Sequence, residues 1–326
     1  AIELLQAGLL IDPLQAELHR WLGRLYAQVD RLDEARAAMQ RSLELAPENP
    51  NSYGTLAEVE LADDNLPAAL EWTRQAAEKD PQDHEIAWHI ARDLYLLGLA
   101  EEGDYWAARV QALAPESGLA RLLEVERALA RGNIEHAIER SAAMIADQVE
   151  LRQGAFGIAV GHYVDSMMSM GRARAGYEFL VSVRPEIADY AAVPRDEQGI
   201  IMQWASLDLM RGFETLEKSR EAWIRFDQAL EANGFPWGHD PANEYHTWDY
   251  VMRGEVEQAV EHYLQYEAAK PLSQDLQRVK KPFYATLAPV YEDPRVAARL
   301  AEDARRYEEL RREVRAMLQR PEWSSL

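Results

Sequence analysis

Pro13, Pro47, Pro81 and Pro115 are spaced 34 residues apart, three times in succession, in sequence that otherwise reads as helix. Proline lacks a backbone donor and disfavours helix in the residue before it, so each one ends a helix at the same point of a recurring unit. Asn49, Asp83 and Ser117 follow where an N-cap side chain would accept the first free amide protons of the next helix. Asp30, Asp64, Gly98 and Gly132 fall midway and tolerate the left-handed backbone that closes a first helix. Each unit is therefore expected to be a helical hairpin.

Side-chain size repeats with the same period. Gly23, Ala57 and Ala91 hold one place, with Val125 the larger fourth member, and Ala35, Ala69, Gly103 and Ala137 hold another, where small residues let two helix axes approach. With the Leu-Gly-x-x-Tyr of residues 22–26 and the recurring Ala…Pro pairing, the chain resembles tetratricopeptide repeat (TPR) proteins. The resemblance implies an all-α, right-handed superhelical solenoid of TPR hairpins. Full units fall at about 16–49, 50–83, 84–117 and 118–151. Residues 1–13 read as the second helix of a repeat without its first, so the chain is expected to be part of something longer or a processed product.

Beyond residue 151 the pattern drifts. Val149 stands where proline is expected, while Gly171, Ala173, Gly176 and Pro185 suggest a stretched fifth hairpin. Residues 198–232 read as another pair, with Trp223, Phe226 and Leu230 on one face of its second helix. Gly254, Ala259, Tyr263, Tyr266 and Pro271 restore the repeat spacing. Val296, Leu300, Tyr307, Leu310, Val314 and Leu318 then predict one long amphipathic helix, a cap for the stack. The expected organisation is a solenoid over 1–184, divergent repeats over 185–273 and a helical cap over 274–326.

Composition narrows the function. The 326 residues carry a net charge of −21, which repels nucleic acid and anionic membrane at long range. The stretch from Gly154 to Gly171 contains His162 and Asp165 and reads as a buried helix, not a membrane span. Without cysteine there is no disulfide framework, thiol nucleophile or cysteine-rich zinc site. The cytoplasm is the expected compartment, and the periplasm is also compatible. No Walker loop, nucleophile elbow, His-Glu-x-x-His or Rossmann glycine fingerprint occurs. The eight histidines lack a metal-ligand spacing. His89 and Asp93 form only a local helical pair, and Met167, Met168 and Met170 read as core. Neither an enzyme nor a cofactor is expected.

Two sites remain as candidates. In TPR proteins the first helices of successive repeats line a groove that receives a peptide or a partner's helix. Carried over by alignment, that lining comprises Arg20, Arg24, Trp88, Arg92, Tyr95 and Leu122. Such a strip could receive a carboxylate or an acidic peptide, or its arginines could pair with Glu58, Glu85 and Glu126. The Lys and Asn clamp of some family members is replaced here by Arg20, Arg24 and Thr55, so chaperone-tail recognition is not implied.

The second candidate is Gly234–Pro241, a loop carrying Phe235 and Trp237. With His239, Tyr245 and Trp248 it forms either an aromatic pocket or a hydrophobic plug. The function expected is a protein-binding adaptor. The alternative is the sensing region of a larger bacterial signalling protein, a cyclase or winged-helix regulator, whose close the stretch from Tyr284 to Arg295 resembles. A remote alternative places ligand binding or catalysis at Trp237. Self-association through the C-terminal helix is a further option for partners.

Overall fold

The computed structural model describes residues 1–147, 155–234, 245–274, 276 and 287–324, and no β-strand occurs among them. Contacts group the chain into two compact units. The first comprises Ala1–Pro115 with Pro271–Gln277 and Ala304–Leu326; the second comprises Glu116–Lys270 with Arg278–Asp303.

In the first unit, α1 (Ile2–Ile11) is followed by three hairpins. These are α2 (Ala16–Gln28) with α3 (Leu32–Leu45), α4 (Pro50–Ala62) with α5 (Leu66–Lys79), and α6 (His84–Leu96) with α7 (Ala100–Leu113). The caps fall where the sequence places them: Asn49 accepts from the Asn51 amide, and Asp83 from those of Glu85 and Ile86. Asp30 and Asp64 turn the first two hairpins at φ of 59° and 53°. Gly23 shows why the crossing place needs a small residue. A Cβ there would lie 2.6 Å from Met39 Sδ. The core of this first hairpin, formed by Leu22, Tyr26, Ala35 and Met39, reaches Leu56 and Val59 of the next.

The second unit continues with α8 (Gly118–Ala130), α9 (Ile134–Ala146), α10 (Ala155–Ser169), α11 (Ala173–Val183), α12 (Glu197–Arg211) and α13 (Leu216–Ala232). It closes with α14 (Tyr245–Arg253), α15 (Val256–His262), the short α16 (Ala288–Tyr291) and the start of α17 (Pro294–Leu318). Ser117 caps α8 through the Ala120 amide. Val149 lies outside the described residues. Gly171 turns the stretched hairpin of α10 and α11. The long connection after α11 is pinned by Arg184, which donates to both Asp196 oxygens at 2.7 and 2.8 Å. Gln203 holds the same segment by donating to the carbonyls of Asp189 and Ala192. Trp223, Phe226 and Leu230 are buried in one core with Trp248, Val251 and Tyr263. Met167 is core, Met168 is half-buried beside it, and Met170 is exposed.

α15 does not end as a regular helix. Residues Tyr263–Glu267 form a π-helical turn, in which the Ala268 amide donates to the Tyr263 carbonyl five residues back.

The long C-terminal helix α17 forms as its periodicity predicts, with Val296, Tyr307, Leu310, Val314 and Met317 buried. Its second half belongs to the first unit, where it runs over hairpin turns. Arg306 donates to the Asp64 carboxylate at 3.1 Å and to its carbonyl at 3.0 Å. Ser273 reaches the same turn, donating from its amide to Asp64 at 2.9 Å and from its hydroxyl to the Leu61 carbonyl at 2.8 Å. A short final helix, α18 (Pro321–Ser324), follows.

Candidate functional site

In the first unit α2, α4 and α6 are the first helices of their hairpins. The repeat spacing puts Arg20, Gly54 and Trp88 in equivalent places on them, and Arg24, Glu58 and Arg92 in another set one turn further on. Arg20 donates to Glu17 at 2.7 Å, and its guanidinium lies 4.6 Å from the Trp21 ring centroid. Asn49 also donates to Glu17, at 2.8 Å. Arg20 is the main cause that holds the Glu17 carboxyl below its ordinary value. Arg24 pairs with Glu58 across α2 and α4 at 3.1 Å. This is one of the pairings that the alternative reading of the arginines anticipates. Both partners are about half exposed, at 41% and 47% of their side chains, so the pair is weak and exchangeable. Crowding by the surrounding helices pushes the Glu58 carboxyl up, against the pull of Arg24 and Arg20.

At the equivalent place on α4, Gly54 carries no side chain, and a Cβ built on it meets nothing within 4 Å. Trp88 has 8% exposure, and its Nε1 has no hydrogen-bond acceptor among the described residues. Its ring takes the edge of His89 at 4.8 Å and the Arg92 guanidinium at 5.6 Å. Arg92 also lies 4.0 Å from Asp93. These places thus carry arginines on α2 and α6, a largely buried indole on α6 and open space over Gly54 on α4. That combination suits an extended chain bearing carboxylates and one bulky side chain.

Tyr95 and Leu122 do not contribute exposed surface, so the transferred lining is shorter than alignment suggests. Tyr95 is 1% exposed and donates its hydroxyl to Asp104 at 2.8 Å. The cause is Gly103: a Cβ there would sit 2.7 Å from the Tyr95 ring, so the glycine opens the space that this ring fills. Leu122 belongs to the second unit and is fully buried in α8. Glu126, another of the carboxylates that the alternative reading pairs with these arginines, lies 3.8 Å from buried His162.

Of the aromatic candidates, Trp237 and His239 lie outside the described residues, as does the side chain of Tyr245. Trp248 is core. It packs edge-on against Trp204 at 6.4 Å, which in turn meets Trp223 at 6.5 Å. Trp223 donates its Nε1–H to Asp249 at 3.1 Å.

The π-helical turn produces an arrangement that sequence reasoning missed. Thr247 is fully buried and its hydroxyl bonds both His262 Nδ1, at 2.7 Å, and Glu267 Oε1. A threonine hydroxyl has one proton, so with Glu267 ionised it donates there and accepts from a protonated Nδ1. The relay fixes the His262 tautomer. The rings of His246, Tyr250 and Tyr266 surround His262 at 5.4, 6.1 and 4.8 Å. His262 and Glu267 are five residues apart, a spacing that shares a face in a π-turn but not in an α-helix. Among the described residues no group of three His, Asp or Glu side chains could hold a metal ion, and no helix is long and apolar enough to cross a membrane.

Residues 16–49 match the tetratricopeptide repeat family. A tetratricopeptide repeat protein from Parabacteroides merdae has a similar crystal structure, with a TM-score of 0.52 at 16% identity, covering 79% of this chain and 91% of that one. The TPR domain of P58(IPK) aligns at 13% identity over 93% of this chain and 97% of its own, with a TM-score of 0.29. The human IFIT1 dimer with m7Gppp-AAAA aligns at 12% identity over 91% and 90%, also with a TM-score of 0.29. Those two scores are too low to add to the fold assignment. No curated protein sequence is similar to the chain.

Proposed function

From a chain that folds as a tetratricopeptide-type solenoid, we infer a protein-binding scaffold whose site is the α2–α4–α6 face of the first unit. The fold is that of protein–protein interaction scaffolds, which supports the coarse reading but names no partner. The observation that supports the finer one is the open space over Gly54, at the place that the repeat spacing equates with Arg20 on α2 and Trp88 on α6.

The ligand this face suits is an extended, acidic peptide segment of a partner protein. Its carboxylates would exchange with Glu17 and Glu58 on Arg20 and Arg24, and a bulky side chain would lie over Gly54. Exchange of one carboxylate for another leaves no arginine unpaired, so desolvation costs little. The net charge of −21 opposes an acidic ligand at long range, so recognition rests on these local cations.

The reading is tested by fluorescence anisotropy with a library of labelled acidic peptides containing one aromatic residue. Binding is expected for the wild-type chain and lost by about tenfold or more in the Trp88→Ala, Arg92→Glu double variant of unchanged helicity, as for removal of an interface anchor. Equal binding by both proteins would reject this face.

A further inference from the structure

α1 meets the rest of the first unit along one side. Ile2, Leu5 and Leu9 pack against the core of the first hairpin, and Gln6 donates to the Tyr26 hydroxyl at 2.8 Å. The side turned away from that core is apolar as well. Leu4, Leu10, Ile11 and Leu14, on α1 and in its link to α2, are the four most exposed large hydrophobic side chains among the described residues. Glu3 is the one charged residue of α1, where α3 carries five and α5 four. A helix apolar on both sides is stable in water when both are covered.

The repeat tells which of these side chains a neighbouring helix of the stack would cover. One period on, the Leu4 place is held by Ala38, which is buried within a complete hairpin. A first helix seated on α1 as α2 sits on α3 would hide Leu4 in the same way. Leu10 and Leu14 differ. One and two periods on, their places carry Glu44 and Glu78, and Glu48 and Gln82, all four exposed although the hairpins around them are complete. Stacking of repeats therefore leaves both places in water. Two leucines, 88% and 65% exposed, stand where the later repeats put polar groups, and a contiguous apolar patch of this kind marks an interaction surface. Its cover comes from outside the stack.

Charge indicates which molecule supplies it. Residues 1–31 hold four acidic and three basic side chains, a net charge of −1 within a chain of −21. Two copies repel each other at long range, and least where these ends meet. The patch is also its own complement, because it has no charge that needs an opposite one and a two-fold axis sets the same apolar surface of each copy against the other. We propose that Leu10, Ile11 and Leu14 form the centre of a homodimer interface, through which two copies of this chain join α1 to α1. Leu10 and Ile11 lie on a second helix of the repeat pattern, not on the α2–α4–α6 face, so the proposal does not rest on the peptide-binding reading.

Sedimentation velocity of the full chain over a range of concentrations tests this. The wild-type chain should sediment as a dimer that dissociates on dilution. Leu10→Glu with Leu14→Glu installs the residues found one period on, at places that are already exposed, and should raise the dissociation constant by about a hundredfold or more, as for loss of two buried leucines. Leu216→Glu, at an apolar side chain exposed elsewhere in the chain, should leave the dimer unchanged. If the doubly charged variant loses helicity, Leu10→Gln with Leu14→Gln serves in its place. A wild-type chain that stays monomeric at every concentration would show that the occupant is not a second copy and would overturn the proposal. So would a folded double variant that dimerises as tightly as the wild type, or a dimer lost equally in Leu216→Glu.

Discussion

Tyr307 donates its buried hydroxyl to the carbonyl oxygen of Leu96 at 2.7 Å. Leu96 is the last residue of α6, where carbonyls lack partners within their own helix. The C-terminal helix therefore satisfies a backbone group left over by the third hairpin, 211 residues earlier. Tyr307→Phe keeps the ring and deletes the bond, and should lower stability by about 1–2 kcal/mol. Urea unfolding followed by circular dichroism measures it, and an unchanged midpoint would show that the contact contributes nothing.

Burial pushes the phenols of Tyr163 and Tyr307 up to about 12. An unfolded tyrosine titrates near about 10. Since the folded values are raised, the stability these groups contribute is fully present below about pH 10 and is lost as pH rises through 12. Unfolding midpoints measured across this window should fall steeply with phenolate absorbance. In Tyr307→Phe the fall should be shallower, and a fall of the same slope would contradict the assignment.

At Gly23 a Cβ would stand 2.6 Å from Met39 Sδ and 3.2 Å from the Ala35 carbonyl. Gly23→Ala gains helix propensity but overpacks the crossing, and the balance should be a loss of about 1–3 kcal/mol. Met39→Ala in the same chain relieves the sulfur contact, so the double variant should be less destabilised than the sum of the two single changes. Simple additivity in the double-mutant cycle would show that the crossing is not tight.

Thr247→Val is nearly isosteric and removes the hydroxyl that joins His262 to Glu267. It leaves a buried imidazole donor without its acceptor, at a cost of about 1–3 kcal/mol. Nitrogen NMR of the wild-type chain should show His262 protonated at Nδ1, and the variant should lose that tautomer preference. A wild-type His262 protonated only at Nε2 would rule out the relay.

Much of the first unit was legible in the sequence, because each hairpin is specified by residues close to one another along the chain. The prolines, the caps at Asn49 and Asp83, and the left-handed turns at Asp30 and Asp64 are local chemistry repeated every 34 residues. What escaped are the departures from the repeat. Gly103 replaces an alanine and draws Tyr95 inward, so a position that alignment assigns to the binding face becomes core. The π-turn after His262 shifts the register by one residue and brings Glu267 round to Thr247, which a helical periodicity cannot express. The hydrogen bond from Trp323 to Glu71 joins residues 252 apart, and no spacing rule connects them.

The most direct test of the central claim is to place the photocrosslinker p-benzoylphenylalanine at position 54, where the structure leaves open space, and at exposed Gln40 on α3 as a control. On irradiation in extracts of the source cells, the account predicts a discrete protein adduct from position 54 that disappears with Trp88→Ala, Arg92→Glu and is absent from position 40. An adduct that forms equally at both positions, or that survives the double substitution, would contradict partner binding on the α2–α4–α6 face.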